Sequence, residues 1–342
     1  MVGGDVPEGH GRPQRDAAAG IAATHHAGHV VTRGIEPGDR FAAGAQHQDK
    51  VAHYLYNCPE YLESMFGIFK AGLAPVNTNY RYSEDELVYL WDNADAVAVI
   101  FHGSYTDRCN TLRSRVPRVR CWMWVDDGTS PCPDWAVSYE TAAASAMQRA
   151  IAPWGRSPDD LYILYTGGTT GMPKGVMWRQ DDMVGSLDAP SRVPLPPSQD
   201  LDALAQRVSK PGPVNMPAAP LMHGTGAMNA MWALALGGAI ATMSSRTFDA
   251  KELLEVVQSA RVNSIAIVGD AFAKPILRAL DENPGKYDIS SIKFITSSGV
   301  MWSAETKAGM LRHHPKMLLI DSLGSSEAVG MASSTTSAEG AS

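Results

Sequence analysis

The segment of this chain best suited to chemistry is Leu161 to Trp178, LYILYTGGTTGMPKGVMW, where a hydrophobic run meets four glycines, three threonines and one lysine. That composition suits phosphate. Glycines let backbone N–H groups approach oxygen atoms closely, the hydroxyls of Thr166, Thr169 and Thr170 add donors, and Lys174 adds a mobile positive charge. An isolated Gly/Thr loop is more often a flexible turn with a surface lysine. Here a predicted strand leads into the loop and Pro173, Lys174 and Gly175 close it. A Walker A loop needs Gly directly before Lys and a hydroxyl after it, whereas Lys174 stands between Pro173 and Gly175, so P-loop NTPase chemistry is excluded.

Three later segments carry further groups that could meet a ligand. Ala219 to Gly226 reads APLMHGTG, Ser297 to Val300 reads SSGV after a predicted strand, and Asp321 to Gly330 reads DSLGSSEAVG. Taken singly, each has a plain structural reading: a histidine beside glycines is usually packed or capping, and a glutamate after two serines is usually an exposed residue. Taken in order with YTGGTTGMPKG, they resemble the blocks of the adenylate-forming enzymes, the superfamily of acyl-CoA synthetases, luciferases and peptide-synthetase adenylation domains. The first block is usually written YTSGTTGxPKG, and Gly167 replaces its serine. DSLGSSEAVG is similar to the block written YGxTE, with Leu323 at the aromatic position, where an aliphatic side chain can still cover one purine face. Gly34 to Arg40, GIEPGDR, and Val51 to Pro75 look like earlier blocks. The wording LYNCPEY and DSLGSSEAVG is most like bacterial fatty-acid or steroid-acid CoA ligases.

The resemblance implies ATP-dependent activation of a fatty or steroid-type carboxylic acid to acyl-AMP and transfer to coenzyme A. ATP, Mg²⁺ and coenzyme A are its cofactor and co-substrates, and a small carboxylic acid is its partner. Residue by residue, it assigns catalysis to Thr166, Lys174 and Glu327, and magnesium to Thr166 and Glu327. Nucleotide binding falls to Thr166, Gly167, Gly168, Thr169, Thr170, Gly171 and Lys174, to Ser298 and Gly299 beside adenine, and to Ser322, Leu323, Gly324, Ser325 and Ser326. Met222, His223, Gly224 and Trp232 fall at the acid pocket. Met228, Met231 and Leu236 add apolar lining that agrees with an aliphatic or sterol acid, although a Met-rich helical stripe is more often core.

The elements around these segments follow from periodicity. Pro59 at a first helical turn, then Leu62, Met65, Phe66 and Phe69, then Gly72, predict an amphipathic helix. Ser83 with Glu86 is a capping box for a second helix through Leu87, Leu90 and Trp91, and Ala96 to Phe101 reads as a buried strand. Leu161 to Tyr165, Ser264 to Val268, Lys293 to Thr296 and Met317 to Ile320 read as further strands, with a helix capped by Asp249 and Glu252. Strand and helix alternate, so the fold class is α/β with mainly parallel pairing. The resemblance narrows this to the large N-terminal domain of the adenylate-forming fold, with layered βα sheets and without its lid domain.

Residues 1–30 are expected to be poorly ordered, 31–330 to form a partial AMP-binding domain, and 331–342 to be a flexible tail. Asp188 to Pro217, rich in proline, is expected to be one long surface connection. The family continues past the glutamate with a ribose-binding aspartate and a lid lysine, neither of which has a counterpart before Ser342. Impaired turnover and poor solubility are therefore expected. Two alternatives stay open: a non-catalytic ATP- or acyl-binding module completed by a lid on a separate chain, and an inactive remnant.

Composition sets the outer bounds. The 342 residues are 44% hydrophobic and 19% charged, enough for one large or two modest cores. Acidic residues outnumber basic ones, 36 to 29, for a net charge of -7 without a long basic run, which argues against nucleic acid as a partner. Cys58, Cys109, Cys121 and Cys132 form no CxxC pair, and Met1 to Gly20 lacks an apolar signal core, so the expected compartment is the cytoplasm. The charge-free run Met216 to Ser245 is broken by prolines and glycines and reads as buried core rather than a transmembrane segment.

Overall fold

The computed structural model describes residues 45–145, 152–167, 171–189, 194–197 and 200–341. Residues 1–30, the GIEPGDR segment and Gly168, Thr169 and Thr170 lie outside them. The described residues build two seven-stranded sheets.

The first sheet grows from alternating strands and helices. β1 (Lys50–Tyr54), α1 (Pro59–Lys70), β2 (Ala74–Asn77), α2 (Glu84–Asn93), β3 (Ala96–His102), α3 (Thr106–Leu112) and β4 (Cys121–Val125) follow one another. β5 (Val137–Ser138), α4 (Tyr139–Ser145), β6 (Leu161–Thr166) and β7 (Lys174–Arg179) complete it. The strand order is β5-β4-β3-β1-β2-β6-β7, parallel except for the β6–β7 hairpin. Pleating divides β6 between two cores: Tyr162 and Leu164 join one apolar cluster, Ile163 and Tyr165 the other. Both faces of the sheet are thus covered, which is why all seven residues of β3 are buried. α1 is followed, after its C-cap Ala71, by Gly72, whose φ of 67° and close approach to the Trp154 indole leave no room for a side chain. Ser83 and Glu86 form the reciprocal capping box of α2.

The second sheet contains β8 (Val214–Pro217), β9 (Ala239–Ile240), β10 (Ser264–Ile267), β11 (Phe294–Ser298), β12 (Leu318–Leu323), β13 (Ala332–Ser337) and β14 (Gly340–Ala341), in the order β14-β13-β12-β11-β10-β8-β9. Its helices are α7 (Gly224–Ala235), α8 (Ala250–Ala260), α9 (Asp270–Glu282) and α10 (Ala304–His313). α5 (Gln180–Asp188) and α6 (Leu201–Arg207) lie between the sheets in sequence. Leu253, Leu254, Val257, Ile265, Ile276, Ile295, Trp302 and Leu319 belong to a separate core.

Two expected loops are corrected. Asp188 to Pro217 is not one irregular connection: it contains α6 and ends in β8, where Met216 is buried and Pro217 takes the last strand position, which needs the fewest ladder bonds. Residues 331–342 were expected as a flexible tail, yet β13 pairs antiparallel with β12 from Leu319↔Thr336 to Leu323↔Ala332. Its Ser/Thr side chains are partly or fully exposed, so no apolar alternation marks the strand. No described helix is long and apolar enough to cross a membrane.

The core holds two neutral histidines. His53 Nε2 donates to Ser64 Oγ at 2.8 Å, because that hydroxyl already donates to the Glu60 carbonyl, and the imidazole stacks on Tyr61. Burial lowers the pKa of His53 from 6.5 to about 3. Burial, opposed by Asp127 and helped by Arg246, lowers that of His102 to about 4. A folded-state pKa below the unfolded value means the unfolded chain binds the proton first. Their stabilisation is therefore present above pH 6.5 and is lost as pH falls toward 4, by roughly 1 kcal/mol per pH unit for each histidine. Urea midpoints should fall between pH 7 and pH 5, and His53→Gln should flatten that slope; equal midpoints in the parent protein would contradict this.

Candidate functional site

All four chemistry-bearing segments emerge at carboxyl ends of strands: Thr166 ends β6, Pro217 ends β8, Ser298 ends β11 and the segment after Leu323 leaves β12. β12, β11, β10 and β8 are parallel neighbours, so the second sheet delivers three of these segments to one edge, where α/β sheets hold ligands. They line a cleft of about 240 Å³. Its walls include Thr166, His223, Gly224, Ser298, Gly299, Ser322, Gly324, Ser325 and Ser326. Leu164, Tyr165, Thr225, Met228, Asn229, Thr296 and Val329 also line it. The sequence reading missed Thr225, Asn229 and Thr296. Thr296 could have been found from pleating, since it stands two residues before Ser298 on β11 and shares its face.

Other expected residues stand elsewhere. Gly167, after β6, and Gly171, before β7, do not line the cleft. Lys174 opens β7 in register with Thr166, with its side chain exposed outside the cleft walls. Leu323 is 63% exposed, so it does not yet cover a ring face. Met222 is buried and does not line the cleft. Trp232 lines a different cavity, of about 650 Å³, together with Phe66, Phe69, Met183, Val184, Leu187, Met231 and Leu236. The cleft and this cavity follow one another along one stripe of α7, with Gly224 and Met228 on the first and Met231 and Ala235 on the second.

The amino end of α7 approaches the preceding loop so closely that a Cβ on Gly226 would lie 2.4 Å from the Pro220 carbonyl oxygen. No side chain caps this end, which leaves its first N–H groups for solvent or ligand. His223, at the N-cap, has its pKa lowered by desolvation and then by the Arg81 charge, so its imidazole is neutral at pH 7. It can exchange a hydrogen bond with a carboxyl group without adding a full charge.

Two asparagines, Asn77 buried and Asn57 half-buried, hold the walls together, and sequence reasoning found neither. Asn77 Nδ2 donates to the Tyr165 carbonyl at 2.8 Å and to the Met222 carbonyl at 2.6 Å, while its Oδ1 accepts from the Tyr165 N–H. Asn57 donates to the carbonyls of Pro217 and Ala219 and accepts from the Leu221 N–H. One side chain thus fixes the root of the Gly/Thr loop, and both fix the segment carrying His223.

Among the described residues no cluster of three or more His, Cys, Asp or Glu could cage a metal ion. Glu327 is exposed and its carboxylate meets no hydrogen-bond partner or ion pair among the described residues. The Glu327 carboxylate, outside the cleft walls, and the Thr166 hydroxyl on them are the groups available to a magnesium ion delivered on phosphate oxygens, which requires few protein ligands.

A sequence profile of the family described as AMP-binding enzyme matches residues 39–341. The chain is 36% identical over 309 residues to the medium/long-chain-fatty-acid–CoA/3-oxocholest-4-en-26-oate–CoA ligase of Mycolicibacterium smegmatis, covering 85% of this chain and 55% of that protein. It is 37% identical over 306 residues to the 3-oxocholest-4-en-26-oate–CoA ligase of Rhodococcus rhodochrous, covering 86% and 52%. The crystal structure of the anthranilate CoA ligase AuaEII in complex with anthranoyl-AMP superposes with a TM-score of 0.72 at 17% identity, covering 89% of this chain and 54% of that one, a likeness of fold. The chain spans about half the length of the curated relatives it matches.

Replacing Asn77 with Ala leaves buried backbone groups unpaired and should lower the unfolding free energy by about 2 kcal/mol or more. Urea denaturation measures it, and a loss below about 0.5 kcal/mol would mean that water replaces the amide without penalty.

Proposed function

This chain belongs to the AMP-binding enzyme family, and on that footing we propose that it binds ATP and a medium- to long-chain fatty or steroid-type acid as substrates of an AMP-forming acid–thiol ligation ending on coenzyme A. The observation that carries this reading is the convergence of Thr166, His223, Ser298, Ser322, Ser325 and Ser326 on one hydroxyl-rich cleft. Hydroxyls and strand-end N–H groups suit phosphate and ribose oxygens. The neutral His223 and the open amino end of α7 suit the acid's carboxylate.

The chemistry has two balanced steps. A carboxylate oxygen attacks the α-phosphorus of ATP, forming a C–O–P bond as pyrophosphate leaves; the thiol of coenzyme A then attacks the acyl carbon and AMP leaves. Charge accumulates on phosphoryl oxygens in the first step, and the chain answers it with donors at Thr166 and the hairpin loop and with the Lys174 ammonium. Magnesium would arrive with the nucleotide and neutralise phosphate charge, held on the protein side by Thr166 and Glu327. The acid's apolar body would continue along α7 into the second cavity, whose wall of Phe, Met, Leu and Trp side chains supplies buried area. All four cysteines are free thiols, in keeping with a reducing cytoplasm, the compartment we assign.

Isothermal titration tests the reading. MgATP should bind the parent protein, and Lys174→Ala should weaken that binding about tenfold or more, as loss of a charge-assisted contact to phosphate does. No binding by the parent protein, or equal binding by the variant, would overturn it. Val184→Trp, placed on the exposed rim of the second cavity, should weaken dodecanoate binding about tenfold with little change for MgATP. Unchanged dodecanoate affinity would remove the tail from that cavity.

A further inference from the structure

Trp178 lies four residues beyond Lys174 on β7, and because alternate strand residues share a face, Lys174, Val176 and Trp178 stand on the same side of the hairpin. Its side chain is buried at 9% exposure, and its indole N–H donates to the Ser326 carbonyl oxygen at 2.8 Å. This bond joins the hairpin of the first sheet to the turn that follows β12 in the second.

That turn is closed on itself. Ser325 N–H donates to the Ala328 carbonyl at 2.9 Å, Ala328 N–H returns to the Ser325 carbonyl at 3.3 Å, and Glu327 N–H donates to Ser325 Oγ. Val329 packs against the same apolar cluster that contains Trp178. The turn therefore moves as one piece, with Glu327 on it, and Ser326 is its hydrogen-bonded anchor on the hairpin.

We propose that Trp178 is a positioning residue for the metal-bearing nucleotide: its indole N–H sets the Ser326–Glu327 turn against the hairpin that presents Thr166 and Lys174. The inference rests on the reading above and deepens it. A ligand that spans both walls, a triphosphate with its divalent cation, depends on the distance between them. A ligand that engages one wall does not. The indole suits the task because it is a rigid arm carrying a single donor and no acceptor.

Trp178→Phe removes the donor and keeps an aromatic ring in the core. In that variant the affinity for ATP with Mg²⁺ should fall about three- to tenfold, the span of one lost hydrogen bond, and half-saturation should require more Mg²⁺. Affinities for AMP without metal and for dodecanoate should change less than about twofold. In the nucleotide-free variant, amides of residues 325–328 should exchange hydrogen faster, while the thermal midpoint stays close to that of the parent. Equal weakening of ATP and AMP, no weakening of either, or unchanged exchange at those amides would overturn the proposal. Failure of the parent protein to bind any ATP would sink the functional reading, and this inference with it; ATP binding with equal losses in the variant would sink the inference alone.

Discussion

One buried amide ties the two halves of the cleft to a single point. Asn77 closes the end of β2 against Tyr165 with a donated and an accepted bond, and its remaining hydrogen reaches the Met222 carbonyl. Its partners sit 88 and 145 residues away in sequence. Because buried polar groups must be paired, neither the root of the Gly/Thr loop nor the loop carrying His223 can shift relative to the other without leaving groups of the clamp unsatisfied. The positions of Thr166 and His223 relative to one another follow from this constraint.

Other links brace the same junction from the sides. Asn57 holds the stretch from Pro217 to Leu221, and Arg246, beyond β9, pairs with Asp127 at 3.0 Å while its guanidinium lies over Tyr56. Trp178 adds the third tie, to the turn after β12. The cleft is thus bounded by segments from both sheets whose separation is set by buried or half-buried polar contacts. The sheets themselves supply rigid strand ends; the polar ties convert those ends into walls at a defined spacing.

Local signals in the sequence were read well where one residue's chemistry decides the outcome. The Ser83–Glu86 box, the Asp249 cap and the apolar run of β6 needed no tertiary knowledge. β13 escaped because its Ser/Thr residues are partly or fully exposed beside the two-residue edge strand β14, so no core face imposes alternation. β8 escaped because prolines before and within it read as loop, although a strand-end proline leaves the ladder largely intact. The asparagine clamps could not be read, since a lone Asn after a strand has no period and its partners are distant. Trp232 and His223 belong to one sequence segment yet line different cavities. A 12-residue helix carries its end about 18 Å from its start, and the same stripe therefore serves first the cleft and then the apolar cavity.

The central claim is that triphosphate and purine lie between the β6–β7 hairpin and the carboxyl ends of β11 and β12. A crystal structure with a non-hydrolysable ATP analogue and magnesium tests it most directly. The account predicts phosphates against Thr166 and the hairpin loop, the metal near Glu327, and the purine beside Ser298, Gly299 and Leu323. A nucleotide seated elsewhere, with the cleft between Thr166 and Ser326 left to solvent, would contradict it.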